Sequence, residues 1–260
     1  MLRNFQKDSF QSKVYKEMYA NQSLEFQEKM VSKYSKLNHG HYSIKQVLKL
    51  LDNFIDPSDP DVSLPNSIHA YQTAERIRKE YPENYQFQLC GLIHDLGKIL
   101  YKFGEKSWAI VGDTYVLGCK IPESIVYKEH FPQDNLTKLG IYSQGCGVNN
   151  LKLSFGHDEY LYMVLKGNNH KLDEKYMQMI RFHSFYPWHT YNEYDYFNTL
   201  SDYNLMKNVQ LLNKFDLYSK EDDIMALCNK DIEGNYVIKE EIEEYYDNLL
   251  REYFPEKLNW

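Results

Sequence analysis

The stretch that most constrains this chain is 89–100, which reads L-C-G-L-I-H-D-L-G-K-I-L. It places His94, Asp95 and Lys98 inside an otherwise apolar run. Ionisable side chains are costly to bury unless they pair with each other or bind a metal ion. The rest of the chain must therefore supply partners for this His-Asp pair, and further metal ligands are one way to do so.

The composition argues against several classes of protein. The 260 residues suit one large domain or at most two, and we find no signal peptide and no apolar run long enough to span a membrane. The net charge of -7 argues against nucleic acid as a partner, because a phosphate backbone requires a basic surface. The four cysteines form no C-x-x-C pair, which predicts free thiols in a reducing compartment. We therefore expect a cytoplasmic protein, a monomer by default, that binds neither membranes nor nucleic acid.

Hydrophobic periodicity predicts a mostly α-helical chain, a single compact bundle with a few short peripheral strands. The spacing indicates one or two helices over 10–37 and another over 43–55, with Ser43 as its N-cap. Further helices are predicted over 66–81, 85–100, 155–166, 209–220 and 240–253, and another within 176–190 that begins at 176 and stops at Pro187. W-A-I-V-G-D-T-Y-V-L-G-C (108–119) is predicted to form two strands around a Gly-Asp turn, and 121–150 an irregular insertion.

One acidic segment, D-P-S-D-P-D-V-S-L-P-N-S (56–67), contains three prolines and three aspartates, which excludes a helix and predicts a loop. Such loops are usually solvated connectors. An acidic loop could also bind the hydroxyl groups of a polyol, so both interpretations stay open at this point. Asn66 and Ser67 are suitable caps for the helix that follows.

Six polar residues interrupt the apolar faces of the predicted helices: His69, His94, Asp95, His157, His183 and Asp216. Each alone has an ordinary structural explanation, since a single histidine in a first helical turn is more often a surface or cap residue. Together they form a mixed nitrogen and oxygen set that suits iron or manganese, and helices can direct such ligands into a bundle core. Six protein ligands are too many for one catalytic metal with an open position but are reasonable for two.

The order His69, His94-Asp95, Asp216 resembles the H…HD…D pattern of the HD-domain superfamily of metal-dependent proteins. His157 and His183, which lie between these motifs, suggest the two-metal branch. More closely, the sequence resembles the myo-inositol oxygenase family. The matching stretches are D-P-S-D-P-D-V-S-L-P-N-S-I-H-A-Y-Q-T-A-E (56–75), G-L-I-H-D-L-G-K (91–98), W-A-I-V-G-D-T (108–114), G-H-D-E-Y-L-Y (156–162), M-I-R-F-H-S-F-Y-P-W-H-T (179–190) and N-K-F-D-L-Y-S-K (213–220).

The resemblance implies a site with two iron ions, mixed-valent Fe(II)/Fe(III) in the active state, held by the six ligands with Asp95 as the bridge. Lys98 matches a catalytic lysine that contacts the substrate alkoxide. The positions that match substrate contacts are Arg3, Asp56, Lys98, Asp113, Ser184 and Lys220. The resemblance also implies a single domain over 1–260, with an N-terminal segment and lid (1–40), a ligand-bearing core (56–220) and a C-terminal outer helix (221–260). Departures from the family pattern fall at 121–150, 191–208 and 221–250.

The implied activity is cleavage of the myo-inositol ring with O2 to give D-glucuronate. No organic cofactor is expected, and the chain contains no G-x-G-x-x-G dinucleotide fingerprint. One alternative is an HD-type phosphohydrolase, which requires cations for phosphate; the sequence offers chiefly Lys98, Arg181 and Lys220. A non-catalytic metal-binding protein is the other, and it would require an incomplete ligand set.

Overall fold

The structure is a computed structural model that describes residues 9–54, 65–132, 136–217 and 224–260. Within these ranges the chain is mostly helical, as predicted. The α-helices are α1 Phe10–Asn21, α2 Leu24–Tyr34, α3 Ile44–Leu51, α4 Asn66–Glu80, α5 Tyr85–Ile93, α6 His157–Gly167, α7 Glu174–Phe182, α8 Tyr186–His189, α9 Leu200–Asp216, α10 Ile224–Leu227 and α11 Glu240–Tyr253. Short 3-10 helices occupy Leu96–Phe103, Ser107–Ala109, Lys128–His130, Val148–Asn150 and Asp195–Phe197.

The strands are short and peripheral, as predicted. They are β1 His41–Tyr42, β2 Cys228–Lys230, β3 Tyr236–Ile238 and β4 Leu258–Asn259. β1 pairs antiparallel with β4 and so ties the segment after α2 to the C-terminal end, while β2 and β3 form an antiparallel hairpin.

Of the two N-terminal caps predicted for helices α3 and α4, one is present in the structure and the other is not. Ser43 caps α3 as predicted, in a reciprocal capping box with Gln46. The predicted cap of α4 is wrong, because Pro65 occupies the N-cap position. The Asn66 side chain instead donates hydrogen bonds to the carbonyl oxygens of Leu51 and Phe54, which anchors the start of α4 to the end of α3.

The predicted continuous helix over 85–100 is wrong, and the difference positions the site. α5 ends at Ile93, His94 is its C-cap, and a 3-10 helix begins at Leu96 after Asp95. Gly97 explains how the 3-10 helix packs, because a Cβ atom there would lie 1.9 Å from the carbonyl oxygen of His157. A residue without a side chain therefore allows the start of α6 to approach the His-Asp pair.

The predicted strand pair over 108–119 is also wrong. The segment begins as a 3-10 helix and turns at Gly112, whose φ is 109°, and its single β-bridge within the described residues joins Val116 to Leu153. Residues 109–111 and 115–117 are buried on both faces rather than alternately. The segment therefore runs as irregular backbone through the interior, bonded to neighbouring segments instead of to a partner strand.

The remaining boundaries differ in smaller ways. The helix predicted to begin at 176 and to stop at Pro187 ends earlier, at Phe182. Pro187 does not stop a helix but lies in the first turn of α8, where its missing N–H costs little. The helix predicted over 209–220 begins earlier, at Leu200, with a capping box between Thr199 and Asp202. The described parts of 121–150 are irregular, as predicted, and α11 has the predicted bounds of 240–253.

The core surrounds α5, which contacts α4, α7, α9 and α11. Its residues from Phe87 to Ile93 are all buried, which explains why this segment, apart from Gln88, is apolar all round rather than amphipathic. All four cysteines are free thiols, as predicted. None of the helices in the described ranges combines the length and hydrophobicity that crossing a bilayer requires.

Candidate metal centre

The six predicted ligands come together in the interior although five helices carry them. His69 lies in the first turn of α4, His157 is the first residue of α6, and Asp216 is the last residue of α9. His94 and His183 are the C-caps of α5 and α7. Potential ligand atoms form two groups, His69 with His94 and Asp95, and Asp95 with His157 and His183, with each group spanning at most 4.8 Å.

Asp95 is the residue that both groups share, and its two oxygens face different neighbours. Oδ1 lies 3.2 Å from Nε2 of His157 and 3.7 Å from Nε2 of His183. Oδ2 lies 3.5 Å from Nε2 of His94 and 2.9 Å from Nζ of Lys98. A carboxylate arranged in this way can bridge two cations.

Asp216 completes the first group. Its Oδ1 lies 2.9 Å from Nε2 of His69 and 3.1 Å from Nε2 of His94. The first group therefore has two imidazoles and two carboxylates, and the second has two imidazoles and the shared Asp95.

Three of the histidines are oriented by their backbone surroundings. Nδ1–H of His94 donates to the carbonyl oxygen of Gly91 at 2.7 Å, and Nδ1–H of His183 donates to that of Ile180 at 2.6 Å. Nδ1–H of His157 donates to Ile110 O at 2.7 Å. Metal-binding histidines commonly donate the other ring N–H in this way, which fixes the tautomer and directs Nε2 at the metal.

This orientation leaves nitrogen lone pairs facing acceptors, which is the test of whether a metal fits. Nε2 of His94 is buried and makes no hydrogen bond, although Oδ1 of Asp216 is 3.1 Å away. Nε2 of His157 lies 3.2 Å from Nε2 of His183. Neutral rings held this way would present lone pairs to each other and to carboxylates, so the arrangement requires protons or cations between them. The six residues therefore fit two metal ions with nitrogen and oxygen ligands.

The electrostatics agree with a site built for cations. Burial lowers the pKa of His94, but the carboxylates of Asp95 and Asp216 outweigh it and raise the pKa to about 9. Burial likewise opposes the charged carboxylates, yet Lys98 and His94 hold the pKa of Asp95 well below its ordinary value. His94 and His69 do the same for Asp216. Without metal, protons are retained where cations would bind, so metal binding must release them.

We expect the metal-free protein to lose stability as the pH rises towards 9. The folded pKa of His94, about 9, exceeds its ordinary value of 6.5, so this contribution is complete below pH 6.5 and is lost as pH rises through 9. The loss should reach about 3 kcal/mol, measured by urea unfolding of chelator-treated protein. The lowered pKa values of Asp95 and Asp216 change the stability only under acidic conditions. A His94→Gln variant should show a flatter profile, and an unchanged profile would contradict the assignment.

Two of the predicted substrate contacts, Asp113 and Ser184, are buried. Ser184 directly follows His183, and its carbonyl oxygen accepts a hydrogen bond from the Thr114 amide at 2.9 Å. Oδ1 of Asp113 accepts a hydrogen bond from the Tyr15 hydroxyl at 2.9 Å. Arg3, Asp56 and Lys220 lie outside the described residues.

Lys98 is a buried residue rather than a helix-surface lysine. Only 7% of it is exposed, and Nζ donates to Oδ2 of Asp95 at 2.9 Å. Its backbone N–H bonds to the carbonyl of Asp95, the short spacing of a 3-10 turn. The break in the helix therefore places the lysine charge against the shared carboxylate.

Comparison with known proteins gives a consistent result. A family model described as myo-inositol oxygenase matches residues 8–260. The chain is 40% identical over 269 residues to the inositol oxygenase of Danio rerio, covering 99% of this chain and 92% of the relative. It is 39% identical to that of Homo sapiens (95% and 85% covered) and 41% identical to inositol oxygenase 1 of Arabidopsis thaliana (95% and 78% covered).

The chain belongs to the myo-inositol oxygenase family. The match spans all four described ranges, including the segments 121–150 and 191–208 in which the sequence departs from the family pattern. The resemblance inferred from the motifs is therefore confirmed along nearly the whole chain.

Sequence reasoning missed several polar residues that surround the candidate ligands and substrate contacts of this family member. Tyr15 on α1 bonds to Asp113, and Thr114 bonds to Asp158. His189 donates from Nε2 to the carbonyl of His183 at 2.9 Å. Thr114, Asp158 and His189 fall inside the family motifs, but only their contacts, which join distant segments, distinguish them from ordinary core residues.

We expect His157→Ala to lower the iron content from two ions to about one per chain. The substitution removes one of the two imidazoles of the second group and leaves the first group intact. Metal analysis after anaerobic reconstitution with Fe(II) measures the result. His170→Ala is a matched control, because His170 bonds to Leu165 away from the centre and should keep both ions. Two ions in the His157→Ala variant would contradict its role as a ligand.

Proposed function

We propose that this chain cleaves the ring of myo-inositol with O2 to give D-glucuronate, using two iron ions and no organic cofactor. Its relatives carry the name inositol oxygenase. The observation that carries the di-iron part of the proposal is the sharing of Asp95 between two groups of histidines. Iron, as a mixed-valent Fe(II)/Fe(III) pair, suits this nitrogen and oxygen donor set.

The ligands divide between the two ions. His69, His94 and Asp216 would hold one iron, and His157 and His183 the other, with Asp95 between them. When bound, iron would supply Lewis acidity for two vicinal hydroxyls of the substrate and redox chemistry for the reaction with O2. The protein's part is to hold the ligands by the backbone bonds that orient Nε2 of His94, His157 and His183.

Lys98 and Asp95 form the catalytic pair in this proposal. The Lys98 ammonium is buried, so its charge acts through a medium of lower dielectric than water. A cation in that position favours the deprotonated form of a substrate hydroxyl. The hydrogen bond from Lys98 to Oδ2 of Asp95 sets the direction of Nζ.

Substrate recognition requires strong hydrogen-bonding groups, because myo-inositol is neutral and carries only hydroxyls. We assign this role to Asp113 and Ser184 beside the centre, together with Lys98. Arg3, Asp56 and Lys220 are assigned from the family motifs alone. Tyr15 supports Asp113 from α1, which connects the N-terminal segment to the substrate site.

The wider organisation is proposed on the same basis. The chain is a single HD-type domain over 1–260, with a lid in 1–40, a core in 56–220 and an outer helix in 221–260. We place it in the cytoplasm as a monomer, with myo-inositol and O2 as its partners and no role for nucleic acid or membranes.

The contacts of the candidate cations argue against a phosphohydrolase. Arg181 donates from Nε to Glu159 at 2.6 Å and from Nη2 at 3.2 Å. Lys98 is paired with Asp95. Arg181 is therefore committed to a carboxylate. Of these candidate cations, only Lys98 among the described residues lies at the centre, whereas a phosphohydrolase would direct several cations at a phosphate group.

One experiment tests the function directly. The protein is reconstituted anaerobically with Fe(II), then given myo-inositol and O2, and glucuronate and O2 consumption are measured. We expect glucuronate to form in a one-to-one ratio with O2 consumed. Absence of glucuronate together with phosphate release from a phosphoester substrate would overturn the proposal in favour of hydrolysis.

A further inference from the structure

Thr114 connects three parts of the site through two hydrogen bonds. Its backbone N–H donates to the carbonyl oxygen of Ser184 at 2.9 Å, and its hydroxyl donates to Oδ2 of Asp158 at 3.1 Å. Thr114 is 5% exposed and Asp158 is 2% exposed. Both bonds therefore lie away from water, where a polar group without a partner is costly.

The residues that Thr114 joins are neighbours of the proposed machinery. Thr114 follows Asp113, Ser184 follows His183, and Asp158 follows His157. The three segments come from the irregular stretch after Gly112, the end of α7 and the start of α6. One residue, through its backbone N–H and its hydroxyl, thus couples both described substrate contacts to the helix that carries a ligand histidine.

Asp158 does not act as the main hydrogen-bond partner of His157. Nδ1 of His157 bonds to the carbonyl of Ile110 at 2.7 Å, while Oδ1 of Asp158 lies 3.4 Å from it. The hydrogen bond of Asp158 is to Thr114 instead. This assigns the carboxylate to the connection between segments rather than to the orientation of the imidazole.

We propose that Thr114 and Asp158 are positioning residues for substrate: their hydrogen bond sets Asp113 and Ser184 relative to the metal centre. The proposal rests on the function proposed above, since it assumes that Asp113 and Ser184 bind inositol. Because an error of about 1 Å in such a position can reduce turnover about a hundredfold, a single hydroxyl can affect the reaction without touching the substrate.

The test compares three variants at one position. Thr114→Val removes the hydroxyl and keeps the branched shape, Thr114→Ala removes it with less steric demand, and Thr114→Ser keeps it. For each variant we measure the iron content per chain, KM and kcat for myo-inositol, and the anaerobic binding of inositol by calorimetry. We expect the Thr114→Val and Thr114→Ala variants to hold two irons but to bind inositol about tenfold more weakly. In both, KM should be raised by a larger factor than kcat is lowered. The Thr114→Ser variant should match the parent chain.

Asp158→Asn separates a positioning hydrogen bond from an effect of charge. The amide oxygen can still accept from the Thr114 hydroxyl, so inositol binding should stay within about twofold of the parent. If the Thr114→Val and Thr114→Ala variants bind inositol as tightly as Thr114→Ser and the parent chain do, the proposal is overturned. Loss of iron at unchanged KM would also overturn it, since it would place the pair in metal binding. Failure of the parent chain to form glucuronate would instead refute the proposed function, which is a separate outcome.

Discussion

Replacing Asp95 with asparagine is expected to abolish stable binding of both irons and nearly all turnover. Asp95 belongs to both ligand groups, with Oδ1 directed at His157 and His183 and Oδ2 at His94. Asparagine has the same shape but lacks the charge and the second carboxylate oxygen. We expect less than one iron per chain by metal analysis and a fall in kcat on the order of a thousandfold or more.

Asp202→Asn is the matched control for this substitution. Asp202 is also a buried aspartate, but its side chain accepts hydrogen bonds from Thr199 and Val148 at the start of α9. That variant should lose stability and keep both irons. Two irons in Asp95→Asn would show that the carboxylate does not bridge the ions.

Replacing Lys98 with methionine is expected to keep both irons and to lower kcat by about 10²–10⁴. Methionine fills a similar volume without charge, so the loss reports the effect of the ammonium on the substrate hydroxyl. Steady-state glucuronate formation, with metal analysis of the same sample, measures it. The pH dependence of kcat should change as well, because a cation beside the reacting hydroxyl is removed.

Lys166→Met provides the comparison on the surface. Lys166 pairs with Glu174 at 2.9 Å and is half exposed, and such surface pairs contribute little to stability. This variant should turn over like the parent chain. If Lys98→Met instead loses iron, its main role is to hold Asp95, and unchanged turnover would remove it from the mechanism.

Local sequence patterns predicted the elements whose determinants are local. α11 has the predicted bounds because its apolar period and acidic first turn lie within the helix itself. Ser43 and Gln46 form their capping box three residues apart. The predictions over 85–100 and 108–119 failed because their conformation depends on what packs against them. In the sequence, Gly97 only indicates a less stable helix. The close approach of the His157 backbone, visible only in the structure, explains why a glycine is needed there.

The amino-acid sequence by itself determined which groups this protein can present: four imidazoles and two carboxylates on different helices, a lysine beside the His-Asp pair, and a family membership carried by motifs along the chain. The tertiary structure alone decided that the two oxygens of Asp95 face two ligand groups. It also decided that Ile110 orients His157 and that Thr114 links Ser184 to Asp158. The physical reason is range. Helical periodicity acts over a few residues, whereas the hydrogen bonds of Ile110 and Thr114 join residues between 44 and 70 positions apart, and packing of the whole core determines where such segments meet.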